Sequence, residues 1–182
     1  AYNILASFAT AHLFGITDDK IITSLTLLRP AEGRFEVFKS QKEVFVILDY
    51  AHTDDAMSNV LKTIKNISSK SQSIITVFGC GGDRDKKKRP LMGKIACKYA
   101  DSVVVTDDNP RNENPQSIRN QIIGNSKNII EISDRKKAIK YAINNLLSQD
   151  ILIIAGKGHE KYQLVKNKSL PFDDVKISKK YI

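Results

Sequence analysis

Short apolar runs rich in β-branched residues punctuate the chain, and the stretches between them repeat apolar positions at helical spacing. Val44–Leu48 (VFVIL), Ser73–Phe78 (SIITVF), Ser102–Thr106 (SVVVT) and Ile151–Ala155 (ILIIA) show little alternation with charged residues. Such runs read as strands buried on both faces. A shorter run, Asn128–Glu131, joins them as a further strand. Three helical stripes lie between: Ala56, Met57, Val60, Leu61 and Ile64; Leu91, Met92, Ile95, Ala96 and Tyr99; Ala138, Ile139, Ala142, Ile143 and Leu146. An i, i+1, i+4, i+5, i+8 stripe suits a helix lying on a sheet. Pro90 falls near a helix start, where its missing N–H costs nothing. This alternation predicts an α/β fold: a Rossmann-like, mostly parallel sheet with helices on both faces.

The ends differ from the middle. Two helical segments, about Tyr2–Phe14 and Asp18–Leu28, precede any strand, the first with Ile4, Leu5, Phe8 and Leu13 near helical spacing. LRPAEGRFE then supplies the proline and glycine of a boundary. Residues 1–31 are therefore expected to be the helical tail of another domain, and 32–182 a domain of their own. YQLVKNKSLPFDD reads as a short hairpin or loop, followed by a basic helix.

Composition removes several function classes. No apolar run approaches the roughly 20 residues that span a bilayer, and no basic region precedes the first apolar residues as in a signal peptide. The formal charge of +9 invites a nucleic-acid reading. Against it, lysines are spread along the whole chain, with few aromatic residues among them for base stacking. Cys80 and Cys97 are the two cysteines; their spacing makes neither a zinc site nor a disulfide framework, and reduced thiols in a cytoplasmic protein are expected.

Open parallel sheets bind ligands outside the carboxyl ends of their strands. There this sequence places DYAHTDD, GCGGDRD, DDNPR and GKGHE, one after each of four strands. GCGGDRD matches neither GxxxxGK[ST] nor GxGxxG, which disfavours a P-loop and a hydride-transferring dinucleotide enzyme. Alone, it reads equally well as a tight strand-to-helix turn or as a ligand loop, in which Asp83 accepts from a ribose or an ammonium and Arg84 clamps a carboxylate. Lys86–Lys88 read as a solvated first helical turn. In DDNPR, Pro110 holds Asn109 extended and lets Arg111 present a fixed fork, although an exposed surface turn explains the same residues. In GKGHE, Gly156 and Gly158 suit positive φ or close ligand approach, and Glu160 offers a carboxylate to an ammonium; a plain glycine bend with a packed His159 is the alternative. His52 is as readily structural as functional, Asp49 and Tyr50 can simply end the strand, and His12 needs no function.

Together, DYAHTDD, GCGGDRDKKKRPLMG, TDDNPR and AGKGHE, in this order and spacing, resemble the Mur ligases that add the third peptide residue to the peptidoglycan precursor. YNILASFATA resembles the end of that family's central domain, and GRFE the entry to its carboxyl-terminal domain. The resemblance implies an ATP-dependent ligase. ATP phosphorylates the terminal carboxylate of a UDP-linked muramoyl dipeptide, and the amine of the incoming amino acid attacks the acyl phosphate. It further implies that Arg84, Asp108, Asn109, Pro110, Arg111, Gly156 and Glu160 form the amino-acid site, with DNPR the version that selects meso-diaminopimelate. Arg84 and Arg111 suit the second carboxylate of that amino acid, and Glu160 the ammonium beside it. Arg34, His52 and Asp83 fall where the family approaches the nucleotide.

Asp54 stands where the family usually has proline, and is expected to cap the following helix instead. The family's UDP-binding domain, and the P-loop, modified lysine and acids that hold Mg²⁺, have no counterpart in these 182 residues. The resemblance thus implies a fragment that does not form the acyl phosphate alone, with no catalytic or metal-ligating residue of its own. Two readings stand against the ligase domain: a non-catalytic ligand-binding module of the same fold, and a basic nucleic-acid-binding domain.

Overall fold

The structure is a computed structural model and describes residues 2–28, 31–40 and 43–182. The chain divides between Ala31 and Glu32 into two compact units. The first holds α1 (Tyr2–Leu13) and α2 (Asp18–Thr26). Asp18 and Asp19 open α2, where carboxylates complement the helix dipole. Ile4, Leu5, Leu13 and Phe14 are all exposed, so the apolar spacing along α1 is not matched by a buried face. Among the described residues no helix is long and apolar enough to cross a membrane.

The second unit contains a six-stranded sheet: β1 (Glu36–Lys39), β2 (Phe45–Asp49), β3 (Ile74–Phe78), β4 (Ser102–Val105), β5 (Ile129–Glu131) and β6 (Ile151–Ala155). Their order is β1-β2-β6-β3-β4-β5. All pairings are parallel except that of β1 with β2. The helices α3 (Asp54–Ile67), α4 (Lys88–Tyr99) and α5 (Pro115–Ile123) connect β2 to β3 to β4 to β5, stepping across the sheet in one direction. Right-handed crossovers then place all three on one face. The helix α6 (Arg135–Asn144) steps back from β5 to β6 and so lies on the other.

The two cores follow. On one face Ile47, Phe78, Val105 and Ile153 pack with Leu61, Met92 and Ile122. On the other, Leu48, Val77, Val104 and Ile154 pack with Ala138, Ile139 and Ala142. Each fully buried Leu, Ile or Met contributes roughly 1.5–3 kcal/mol relative to exposure. A two-stranded ribbon, β7 (Tyr162–Val165) with β8 (Lys168–Pro171), and the helix α7 (Asp174–Tyr181) complete the unit.

The structure corrects several details. β1 and α5 were not foreseen. Leu91 is 45% exposed and falls outside the α4 stripe, while Leu146 lies beyond the end of α6. The cap of α3 is Thr53, whose side chain accepts from the Ala56 amide. Asp54 is instead the first helical residue, the position where a proline would also fit.

Candidate functional site

The carboxyl ends of β2, β3, β4 and β6 surround a cleft of about 460 Å³, within the range of small-molecule sites. Tyr50 and His52 reach it from the loop after β2, Arg84 from that after β3, and Asp108, Asn109 and Arg111 from that after β4. Gly156 and Glu160 follow β6, and Tyr162 opens β7. Gly156 and Gly158 take φ values of 113° and 52°, so the loop after β6 turns in a region open to glycine.

A buried cation sits behind the cleft. The side chain of Lys157 is fully buried. Its Nζ donates to Asn109 Oδ1 and to the Tyr162 carbonyl, both at 2.8 Å. It lies 3.1 Å from Asp108 Oδ1 and 3.8 Å from Glu160 Oε2. Burial holds the Lys157 ammonium below the ordinary lysine range, opposed by the Asp108 carboxylate. Asn109 Oδ1 also accepts from the Leu164 amide at 2.9 Å, and Asn109 Nδ2 donates to Glu160 Oε2 at 2.8 Å. One asparagine thereby joins the loops after β4 and β6 to the ribbon.

The glycine loop after β3 is stitched to the loop after β4. Gly82 donates to the Asn109 carbonyl at 2.9 Å, and a Cβ at Gly82 would lie 1.9 Å from the Pro110 oxygen, so no larger residue fits there. Arg111 Nη1 donates to the Gly82 carbonyl at 2.9 Å, leaving its Nε and Nη2 without a hydrogen bond among the described residues. The Arg111 backbone sits at φ 49°, a strained value for a non-glycine residue. It is held there by two backbone bonds to the ribbon, Arg111 N to Leu164 O and Lys166 N to Arg111 O. Beneath, the buried Arg89 grips both Glu113 oxygens and the Gly81 carbonyl. Glu113 in turn accepts from the Asp83 amide. The Arg89 hydrogen bonds hold the Glu113 carboxyl at about 2, well below the ordinary glutamate value.

At the end of β2, Asp49 accepts from the Phe35 and Ala51 amides and so shapes the turn rather than facing the cleft. The Arg34 guanidinium packs 4.5 Å from the centre of the Tyr50 ring, and the His52 and His159 rings lie 4.6 and 5.4 Å from it. Lys88 Nζ donates to the His52 carbonyl at 2.6 Å. Lys88, read from sequence as solvated, thus ties the start of α4 to this loop and lines the cleft.

Arg84, Asp108, Asn109, Arg111, Gly156, Glu160 and His52 therefore meet at one cleft. Pro110 is buried beneath its loop, and Arg34 stands beside Tyr50. Asp83 turns its carboxylate to the Asn112 backbone and side-chain amides, which leaves it poorly placed to accept from a ribose. Lys157, Tyr50 and Arg89 were not singled out. The one available signal was a lysine between two glycines after a fully apolar strand. Among the described residues no group of three or more His, Cys, Asp or Glu side chains is placed to hold a metal ion.

Comparison with known proteins bears on this arrangement. The family described as "Mur ligase, glutamate ligase domain" matches residues 33–158. A Rickettsia typhi protein named UDP-N-acetylmuramoyl-L-alanyl-D-glutamate--2,6-diaminopimelate ligase is 47% identical over 184 aligned residues, covering 100% of this chain and 37% of its own length. A Cytophaga hutchinsonii protein of the same name is 46% identical, with 100% and 38% covered. The chain thus spans less than two-fifths of these relatives. A solved structure of a ligase of that name superposes with a TM-score of 0.77 at 38% identity, over 99% of this chain and 37% of that one. A MurF ligase from Thermotoga maritima in complex with ADP shares the fold, with a TM-score of 0.65 at 22% identity over 84% of this chain and 33% of that one. With its sheet order, its strand-end cleft and the match over most of its length, the chain belongs to the Mur ligase family and carries that family's carboxyl-terminal domain.

Proposed function

We propose that this chain is the carboxyl-terminal part of an ATP-dependent ligase that adds meso-diaminopimelate to UDP-N-acetylmuramoyl-L-alanyl-D-glutamate by way of an acyl phosphate. The observation that carries the reading is the pairing, in one cleft, of Arg84 and Arg111 with Asp108 and Glu160. An amino acid with a second carboxylate beside a second ammonium answers both. Lysine lacks that carboxylate and leaves the arginines unpaired; sites built for a polar group reject ligands without it by roughly 10⁴-fold. The cleft interleaves the carboxylates Asp54, Asp85, Asp108 and Glu160 with Arg84, Lys88 and Arg111, a pattern that suits a zwitterion better than the uniform negative charge of a nucleic-acid backbone.

Within this reading Arg84, Asp108, Asn109, Arg111, Gly156 and Glu160 hold the amino acid, and Pro110 stiffens their loop. Arg34 and His52, around the Tyr50 ring, form the edge offered to the nucleotide of ATP, and Asp83 supports the loop after β4 through Asn112. ATP supplies the activating phosphoryl group. Its Mg²⁺ ligands belong to domains other than this one, and residues 1–31 are the end of the preceding ATP-binding domain.

The test joins this chain to the amino-terminal portion of the Rickettsia typhi relative and follows ADP release. The hybrid should use meso-diaminopimelate and reject lysine. Arg111→Ala should lower kcat/KM for diaminopimelate about 10²–10³-fold, the worth of a bidentate charged pair, with KM for ATP nearly unchanged. Equal use of lysine, or an unaltered Arg111→Ala enzyme, would refute the assignment.

A further inference from the structure

We infer that Lys157 is the positioning residue of this cleft: from behind, its ammonium fixes the direction of the Asn109 amide and partners the Glu160 and Asp108 carboxylates, so that a donor and an acceptor are presented ready-made to the amino acid. The inference rests on the reading above and goes further by assigning how the site is set.

Lys157 cannot touch a ligand, because none of its side chain is exposed. Burying an ammonium costs several kcal/mol, and an apolar side chain of the same length would fill the space without that cost. The charge therefore needs a reason in its surroundings. Asn109 Oδ1 receives two donors, Lys157 Nζ and the Leu164 amide. A flipped amide would set its NH₂ against both, forfeiting two buried hydrogen bonds. The amide is thus locked with Nδ2 toward Glu160. Of the two Nδ2 hydrogens, one is spent on Glu160 Oε2 and one is left for a ligand carboxylate. On Glu160, Oε2 is occupied and Oε1 is left for an ammonium. Asp108 and Glu160 together carry two negative charges, and Lys157 reduces the sum to one, matching a single incoming ammonium.

The experiment compares wild type, Lys157→Met and Lys157→Gln, both as the ¹⁵N-labelled 182-residue chain and in the hybrid ligase. In the wild-type chain the Asn109 Nδ2 proton donated to Glu160 and the Leu164 amide should exchange slowly. Lys157→Met should speed both by about tenfold or more, and Lys157→Gln, which still donates to Oδ1, should restore Asn109. In the hybrid, Lys157→Met should raise KM for diaminopimelate about 30-fold, the worth of a lost charged hydrogen bond, while kcat and KM for ATP move less than about threefold; the Gln variant should recover part. Unchanged Asn109 exchange together with unchanged KM, or a loss shared equally by kcat and both KM values, would overturn the role. If the Met variant does not fold, the Gln variant decides by KM: with Asn109 exchange near wild type, the lost charge should still raise KM for diaminopimelate about threefold or more, and an unchanged KM would overturn the role. A wild-type hybrid that ligates no diaminopimelate would sink the functional reading instead, and the exchange measurements would still decide whether Lys157 sets Asn109.

Discussion

Arg135 and Asp174 form an ion pair with no exposure on the arginine and 1% on the aspartate. Nε donates to Oδ1 at 2.9 Å, and Nη2 to Oδ2 at 2.8 Å and to the Ala155 carbonyl at 3.0 Å. The pair clips the first residues of α6 and α7 beneath the end of β6, next to the cleft. Removing one partner strands the other charge in a medium that solvates it poorly, so Arg135→Met and Asp174→Leu should each destabilise by about 3–5 kcal/mol. With a urea m-value of about 2 kcal/mol per molar, each midpoint should fall by about 1.5–2.5 M. Arg135→Met/Asp174→Leu removes both charges and replaces them with packed apolar atoms, and should stay within about 2 kcal/mol of wild type. Equilibrium urea unfolding of the four proteins closes the cycle, and the two single losses should overshoot the double by at least 3 kcal/mol or so. Single losses that simply add to the double would show that the charges do not depend on one another, and the reasoning would fail.

Two further outcomes follow from the loops and the core. Glu113 is held at about 2 by its Arg89 hydrogen bonds, below its ordinary value of 4.5. Its carboxylate therefore stabilises the native state above the unfolded value, and that contribution drains away as pH falls from about 4.5 toward 2; Glu113→Gln should flatten this limb of the stability profile, and an identical limb would reject the link. Burial pushes the Cys80 thiol up to about 12, whereas Cys97 is partly exposed, so iodoacetamide at pH 8 should modify one thiol in the folded chain and two after denaturation. Rapid loss of both thiols in the folded state would contradict the packing around Cys80.

What the sequence disclosed followed from burial on two faces. Strands such as Ile151–Ala155 are apolar throughout because helices cover both sides, and so they stand out without alternation. β1 did not, because EVFK is a half-buried edge paired on one side. The helix α5 begins with a clear Asn114 cap and Pro115, but it shows few apolar positions. It is held as much by Arg119, paired with Asp107 and Glu131, as by Ile118 and Ile122. At the cleft, the segments were legible as an ordered set of polar loops at strand ends. The direction of single side chains was not. Asp83 sits at φ 53° and turns away, a backbone choice that its neighbours in sequence do not announce. Lys157, flagged only by the glycines on either side, is hard to read for the opposite reason: a lysine ordinarily signals solvent, and only the folded arrangement supplies the acids that let it be buried.

The insertion of β6 between β2 and β3 has a consequence for a nascent chain. A ribosome delivers β2 and β3 well before β6, which begins about a hundred residues after β2. Through that interval each of the two has an open edge waiting for a partner not yet made, and such edges recruit other chains. Release of a shortened product ending before Ile151 would leave both edges bare for good, and clumping rather than a merely weakened domain is the expected fate of such a truncation.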